Sequence, residues 1–140
     1  MDKETKRAIM LEHYMNPFNK ELKGDDFIKT NGNNVSCIDN IDLFIKVEDG
    51  ILLDAYFDGE ACAITTSSTS IMLKNIIGKS LVDIKKYIEN FENMINEAEY
   101  DDGTFGEALV YDEIYKQENR KGCVLLPYVA LKKALAEAEK

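Results

Sequence analysis

The sequence predicts an α+β fold in which a small antiparallel three-stranded sheet packs against helices. Residues 40–58 alternate apolar and polar side chains on both sides of Asp49-Gly50, a pair that favours a tight hairpin turn. A short strand near residues 27–29 completes the sheet. Segments before and after the hairpin carry apolar residues at helical spacing. Strands followed by a run of helices are typical of the α+β class.

The first helix is predicted over residues 4–15, where Ala8, Leu11 and Met15 repeat at helical spacing. It ends before Pro17, because the residue that precedes a proline is disfavoured in the helical conformation. The chain from there to the hairpin is polar and rich in Gly and Asn, which indicates a loop around the short strand.

Four more helices are predicted after the hairpin. Residues 63–77 form one, ended by Gly78, and residues 81–97 form the next, with a capping signal at its start. A similar capping pattern predicts a helix over 105–117. We expect the last helix to become regular only at Pro127, because proline inside a helix removes a hydrogen bond.

The composition indicates one domain that spans residues 1–140. Because 45% of its residues are hydrophobic, we expect it to bury a core that needs no disulfide or metal ion for stability. The net charge of −9 disfavours binding to nucleic acid or to anionic membranes. No apolar stretch reaches the length of a membrane span and no signal-peptide core is evident, so we expect a cytoplasmic protein. An odd count of three cysteines in a reducing compartment favours metal or thiol chemistry over disulfides.

The three cysteines carry the functional information. Cys37, Cys62 and Cys123 each lie beside turn residues at the edge of a predicted element, and Asp39 follows the first of them. Three thiols and one carboxylate are the four ligands that a tetrahedral zinc or a transient iron–sulfur site needs. We expect Cys62 and Cys123 at helix N-termini, where the macrodipole favours the thiolate. The competing interpretation is that the cysteines fill the core and that Asp39 is an ordinary turn residue.

Other polar residues receive structural interpretations. His13 is the only histidine of the chain, and we interpret it as an exposed or half-buried structural residue. The Thr/Ser run over residues 65–70 is interpreted as a set of small side chains that permit close packing between helix and sheet.

Several motifs together resemble those of the U-type iron–sulfur cluster assembly proteins. The letters HYMNPFN (13–19) resemble their opening "HY-x-NP-x-N", NVSCID (34–39) their "NP-x-CGD" loop and FDGEACAI (57–64) their "F-x-G-x-GC-x-I" corner. Cys123 and the segment that follows it resemble their third-cysteine region. Two loop positions depart from the pattern, with Val35 in place of proline and Ile38 in place of glycine.

Within this family the chain is more similar to the SufU branch than to the IscU branch. The IscU branch has a histidine immediately before the third cysteine, where this sequence has Gly122. Arg120 and a longer interval between the second and third cysteines, with an extra helical segment around 98–118, resemble the SufU branch.

The resemblance implies a SufE/NifU-like fold and a zinc ion held by Cys37, Asp39, Cys62 and Cys123. It also implies a partner, a pyridoxal-phosphate cysteine desulfurase, which passes persulfide sulfur to Cys37 as the acceptor, with cluster-assembly or acceptor proteins downstream. One alternative is a scaffold on which a nascent iron–sulfur cluster is assembled on the same residues and transferred. A second alternative is a structural zinc module used for docking.

Overall fold

In the part of the chain that the structure describes, the sheet has three antiparallel strands in the order β1-β2-β3, which confirms the predicted fold class. The computed structural model describes residues 1–34 and 38–140. In it, β1 spans Ile28–Asn33, β2 spans Asn40–Glu48 and β3 spans Ile51–Glu60. Strand β1 extends further toward the C-terminus than the short strand predicted near 27–29, because it pairs with β2 along its whole length.

The hairpin between β2 and β3 turns at the predicted pair. Asp49 and Gly50 have φ angles of 53° and 73°, the left-handed values that this kind of turn requires. On one face of the sheet, Ile41, Leu43 and Ile45 are fully buried. The alternation in the sequence therefore marks the side of the sheet that the helices cover.

The described residues form four α-helices: α1 (Lys3–Met15), α2 (Ala63–Ile76), α3 (Leu81–Ile95) and α4 (Glu118–Ala138). The first three agree with the predicted segments to within two residues. The Ser80 side chain caps α3 by accepting a hydrogen bond from the Asp83 amide, as its capping signal predicts. No helix in the described part of the chain combines the length and the apolar character needed to cross a membrane.

Helix α2 is the central helix, and it contacts α1, α4 and β3. Every residue of its Thr65–Ser70 run is buried. The hydroxyl groups are satisfied by hydrogen bonds, for example from Ser68 to the Val124 carbonyl and from Thr69 to the Thr65 carbonyl. Small hydroxyl side chains with hydrogen-bond partners therefore let this polar run of the helix lie in the interior.

The predicted α-helix over 105–117 is wrong. Three short 3₁₀ segments follow α3, at Asp102–Thr104, Gly106–Tyr111 and Ile114–Lys116, and the second and third take the place of the predicted α-helix. Gly106 has a φ angle of 52°, which an α-helix does not accommodate. Phe105 and Tyr111 are also buried against the core, so side-chain burial decides the path of this segment over the local capping pattern.

The predicted start of the last helix at Pro127 is also wrong. Helix α4 begins at Glu118 and continues through Pro127, so Cys123 lies within the helix and not ahead of it. Proline removes the amide that would bond to the carbonyl of residue 123. The adjacent carbonyl of Val124 accepts a hydrogen bond from Ser68 Oγ at 2.7 Å. The packing of α4 against α2 and the sheet therefore outweighs the loss of the backbone hydrogen bond that the proline removes.

The interpretation of His13 as exposed or half-buried needs correction as well. The side chain is buried, and Nδ1 lies 2.7 Å from Ser70 Oγ while Nε2 lies 2.9 Å from Glu107 Oε1. The histidine is buried because α2 and the second 3₁₀ segment provide a partner for each ring nitrogen. It ties α1 to both elements, which is a structural role.

Candidate metal centre

Three of the four predicted ligands converge at one end of the sheet. Asp39 directly precedes β2, Cys62 follows β3 after one intervening residue and caps α2, and Cys123 projects from α4. Their ligand atoms lie within 4.8 Å of one another. The fourth predicted ligand, Cys37, lies outside the described residues.

The pairing of β2 with β3 brings Asp39 and Cys62 together. Asn40 pairs with Glu60 and Ile41 with Gly59, so Asp39 and Cys62 lie just beyond the same end of the ladder. Gly59 has a φ angle of 128°, and a Cβ atom there would lie only 2.2 Å from the Asn40 carbonyl oxygen. A residue without a side chain is therefore required for this approach of the two strands.

Cys62 occupies the predicted position at a helix N-terminus. Its backbone is extended, and its Sγ accepts a hydrogen bond from the Thr65 amide at 3.4 Å. The sulfur therefore lies at the positive end of the α2 macrodipole, a favourable position for a ligand atom that carries negative charge.

Cys123 does not occupy the predicted position at the start of a helix. It is the sixth residue of α4 and is 8% exposed. Burial, followed by the proximity of Cys62 and Asp39, raises the pKa of the Cys123 thiol to about 12. Without a cation, the Cys123 thiol thus keeps its proton at neutral pH.

Asp39 is a buried carboxylate and not an ordinary turn residue, with 1% of its surface exposed. Oδ1 accepts a hydrogen bond from the Cys62 amide at 2.7 Å, and Oδ2 accepts one from the Thr65 hydroxyl at 2.6 Å. Burial by itself would raise the pKa of Asp39, because it disfavours the charged form. The carboxylate, however, accepts hydrogen bonds from the Cys62 amide, the Thr65 hydroxyl and the thiols of Cys62 and Cys123. Together these hydrogen bonds outweigh the effect of burial, so the pKa of Asp39 lies below its ordinary value.

The chemistry of this donor set fits a thiophilic divalent metal. Among the salt bridges of the described residues, none gives Asp39 a cationic side chain. A buried carboxylate beside two thiols is costly unless a positive charge compensates it. Two sulfur ligands and one oxygen ligand suit zinc, and cysteine ligands also suit iron–sulfur clusters.

Thr65 belongs to the site, although the sequence pattern places it among the small packing residues of α2. Its Oγ1 lies 2.6 Å from Asp39 Oδ2 and 3.3 Å from Cys62 Sγ. The available signal was a hydroxyl residue three positions after a cysteine at a helix start, the spacing at which a side chain reaches back to the cap.

The fold and this cluster define a class of α+β domains in which two thiols and a carboxylate at the end of the sheet could hold a metal ion. Comparison with known proteins identifies the family. The model of the NifU-like N-terminal domain matches residues 5–134, and the chain belongs to this family of U-type iron–sulfur cluster assembly proteins.

Its relatives include both branches of the family. The iron–sulfur cluster assembly scaffold protein IscU of Thermotoga maritima is 36% identical over 119 residues, which cover 83% of this chain and 84% of the relative. The zinc-dependent sulfurtransferase SufU of Bacillus subtilis is 34% identical over 134 residues, which cover 95% of this chain and 90% of that protein.

Solved structures agree with this family fold. A SufU from Fervidobacterium islandicum AW-1, assigned as a cluster assembly scaffold for the SUF system, superimposes with a TM-score of 0.82 at 26% identity. The match covers 96% of this chain and 99% of that one. The N-terminal NifU-like domain of Brucella abortus has the same fold, with a TM-score of 0.83 at 20% identity over 94% of this chain and 92% of the other.

Proposed function

We propose that this protein is a zinc-bound sulfur acceptor that receives persulfide sulfur from a pyridoxal-phosphate cysteine desulfurase and delivers it for iron–sulfur cluster assembly. The observation that carries the proposal is the convergence of Asp39, Cys62 and Cys123 from three separate elements. The name of the Bacillus subtilis relative, a zinc-dependent sulfurtransferase, supports it.

In this proposal Cys62, Cys123 and Asp39 hold the metal together with Cys37, and Cys37 is also the acceptor. Zinc, when bound, keeps thiol ligands deprotonated. The Cys37 thiolate attacks the terminal sulfur of the desulfurase persulfide, and the sulfur–sulfur bond of the donor breaks. The donor leaves as a thiolate, and Cys37 becomes the persulfide, so no external oxidant or reductant is consumed. Asp39 is the weakest ligand type of the set, which suits a site that must open.

Replacing Cys37 with alanine is expected to reduce persulfide uptake at least about tenfold, because the attacking thiolate is lost. The assay mixes the protein with a desulfurase and free cysteine, and measures the sulfur transferred to this chain by intact mass. Replacing the neighbouring Ser36 with alanine is the matched control and should leave uptake unchanged. Normal persulfide uptake by the Cys37→Ala variant would exclude Cys37 as the acceptor.

Zinc binding is expected to release at least one proton, because the Cys123 thiol has a pKa of about 12 without metal and binds metal as the thiolate. Zinc affinity should then rise by at least about tenfold per pH unit between about pH 6.5 and 8, since each proton released contributes one such factor. Titration calorimetry in buffers of different ionisation enthalpy counts the protons. A zinc affinity that is constant across this pH range would contradict the assignment of Cys123 as a ligand.

A second candidate function is a scaffold on which a nascent iron–sulfur cluster is built and transferred. The same cluster of thiols supports it, and the relative from Thermotoga maritima is named a scaffold protein. Anaerobic reconstitution with iron and sulfide, followed by visible absorbance and transfer to an apo-ferredoxin, distinguishes this function. A protein that takes up persulfide but forms no transferable cluster is a sulfur carrier and not a scaffold.

A third candidate, a structural zinc module used for docking, ranks below these two. The described residues include a large apolar core with residues from the sheet and from all α-helices except α1, so folding should not depend on metal. Thermal denaturation of the zinc-free protein tests this expectation. Loss of the cooperative transition on chelation would place the structural role first.

A further inference from the structure

The Thr65 hydroxyl lies between two of the three described ligand residues. Thr65 is in the first turn of α2 and is fully buried. Its Oγ1 is 2.6 Å from Asp39 Oδ2 and 3.3 Å from Cys62 Sγ, while its amide hydrogen-bonds the same sulfur. The side chain therefore contacts the site through its hydroxyl, in addition to any role in packing.

The direction of the Thr65 hydrogen bond follows from the number of protons available. A hydroxyl has one proton, and an ionised carboxylate is a stronger acceptor than a thiol. The 2.6 Å distance to Asp39 is typical of a charge-assisted bond. Thr65 thus donates to Oδ2 while the Cys62 amide donates to Oδ1, so both carboxylate oxygens of Asp39 are oriented.

Each oxygen of a carboxylate accepts two hydrogen bonds or other contacts. Oδ2 has one position taken by Thr65 and lies 3.7 Å from Cys62 Sγ, on the side of the thiols. The thiols of Cys62 and Cys123 also hydrogen-bond Asp39, and a metal that displaced their protons would take this second position. Oδ1 is engaged by the backbone at 2.7 Å, so a metal held by both oxygens at once would have to compete with a fixed amide.

We propose that Thr65 is a positioning residue that holds Asp39 as a single-oxygen ligand of the metal bound by Cys62 and Cys123. The inference rests on the metal site of the proposed function and adds a residue outside the predicted ligand set. Groups that hydrogen-bond metal ligands commonly contribute about 10- to 100-fold to metal affinity, because they fix the orientation of the ligand.

The chain offers a matched control one turn further along α2. Thr69 is also fully buried, and its hydroxyl bonds to the Thr65 carbonyl at 2.7 Å, not to a ligand residue. A valine at either position keeps the shape of the side chain and removes one buried hydroxyl. The two substitutions therefore differ in whether the lost hydroxyl contacts Asp39.

Cobalt(II) is the probe, because its visible absorption reports its ligands. Thr65→Val should lower cobalt affinity about 10- to 100-fold and alter the visible spectrum, while Thr65→Ser, which retains the hydroxyl, should restore both. Thr69→Val should bind cobalt as the unaltered protein does. Circular dichroism confirms the fold of each variant, and Thr65→Ala replaces the valine variant if that one does not fold.

Three results would overturn the inference: unchanged or tighter cobalt binding by Thr65→Val, an equal loss in Thr69→Val, or no rescue by serine. Tighter binding would mean that the hydroxyl competes with the metal for Oδ2. Failure of the unaltered protein to bind cobalt or zinc would instead overturn the metal site of the proposed function. The two failures are therefore distinguishable.

Discussion

Replacing Asp39 with alanine is expected to lower zinc affinity on the order of 100-fold or more, because a direct ligand contributes at least as much as the groups that orient it. The substitution also leaves the Cys62 amide and the Thr65 hydroxyl without their acceptor. Competition with a chromophoric chelator measures the affinity, and mass spectrometry under native conditions counts the bound metal.

Two further variants separate the ligand role of Asp39 from its structural role. Asp39→Asn keeps the shape and an acceptor oxygen but removes the charge, so its zinc affinity should also fall. Asp58→Ala removes a half-buried carboxylate of β3 that lies outside the cluster, and zinc affinity should be unchanged. If Asp39→Ala and Asp58→Ala bound zinc equally well, the carboxylate would not be a ligand.

Replacing Gly59 with alanine is expected to destabilise the fold by about 3 kcal/mol or more. A non-glycine residue held in a sparsely populated backbone region costs on the order of 1–3 kcal/mol. The added Cβ would in addition lie 2.2 Å from the Asn40 carbonyl oxygen and 3.0 Å from the Ile41 Cα, and both are backbone atoms. The strands must then separate at the end that positions Asp39 and Cys62, so zinc affinity should fall with stability. Urea denaturation measures the free energy of unfolding.

Gly50→Ala is the control for the backbone conformation. Gly50 also has a positive φ angle, of 73°, but a Cβ there would meet no atom within 4 Å. Its substitution should cost only about 1–2 kcal/mol, from the left-handed conformation, and should not change zinc affinity. If Gly59→Ala were no more destabilising than Gly50→Ala, the close approach of β2 and β3 would not constrain the site.

Some of the structural features behind these predictions can be recognised from the sequence, and others cannot. The hairpin and the first three α-helices are recognisable because their signals are local: alternation around Asp49-Gly50, the stop at Pro17 and the cap at Ser80. Interactions between residues near in sequence favour these elements before the chain is compact. The cysteine spacing and the flanking motifs likewise point to the family without coordinates.

The errors arise where tertiary contacts override local preference. The capping pattern before residue 105 predicts a helix, but the burial of Phe105 and Tyr111 and the left-handed Gly106 produce 3₁₀ segments. Pro127 predicts a late helix start, yet Ser68 from α2 bonds to a carbonyl of the helix beside the proline. His13 is buried because its partners come from residues 57 and 94 positions away.

The amino-acid sequence therefore specifies which residues are available for chemistry: three thiols, one carboxylate and the motifs around them. Their arrangement depends on contacts between distant segments. The β2–β3 register sets Asp39 beside Cys62, the packing of α4 brings Cys123 to both, and the first turn of α2 places Thr65 against the carboxylate. Periodicity describes neighbours a few positions apart, whereas a metal site depends on distances of a few ångströms between atoms that are far apart in sequence.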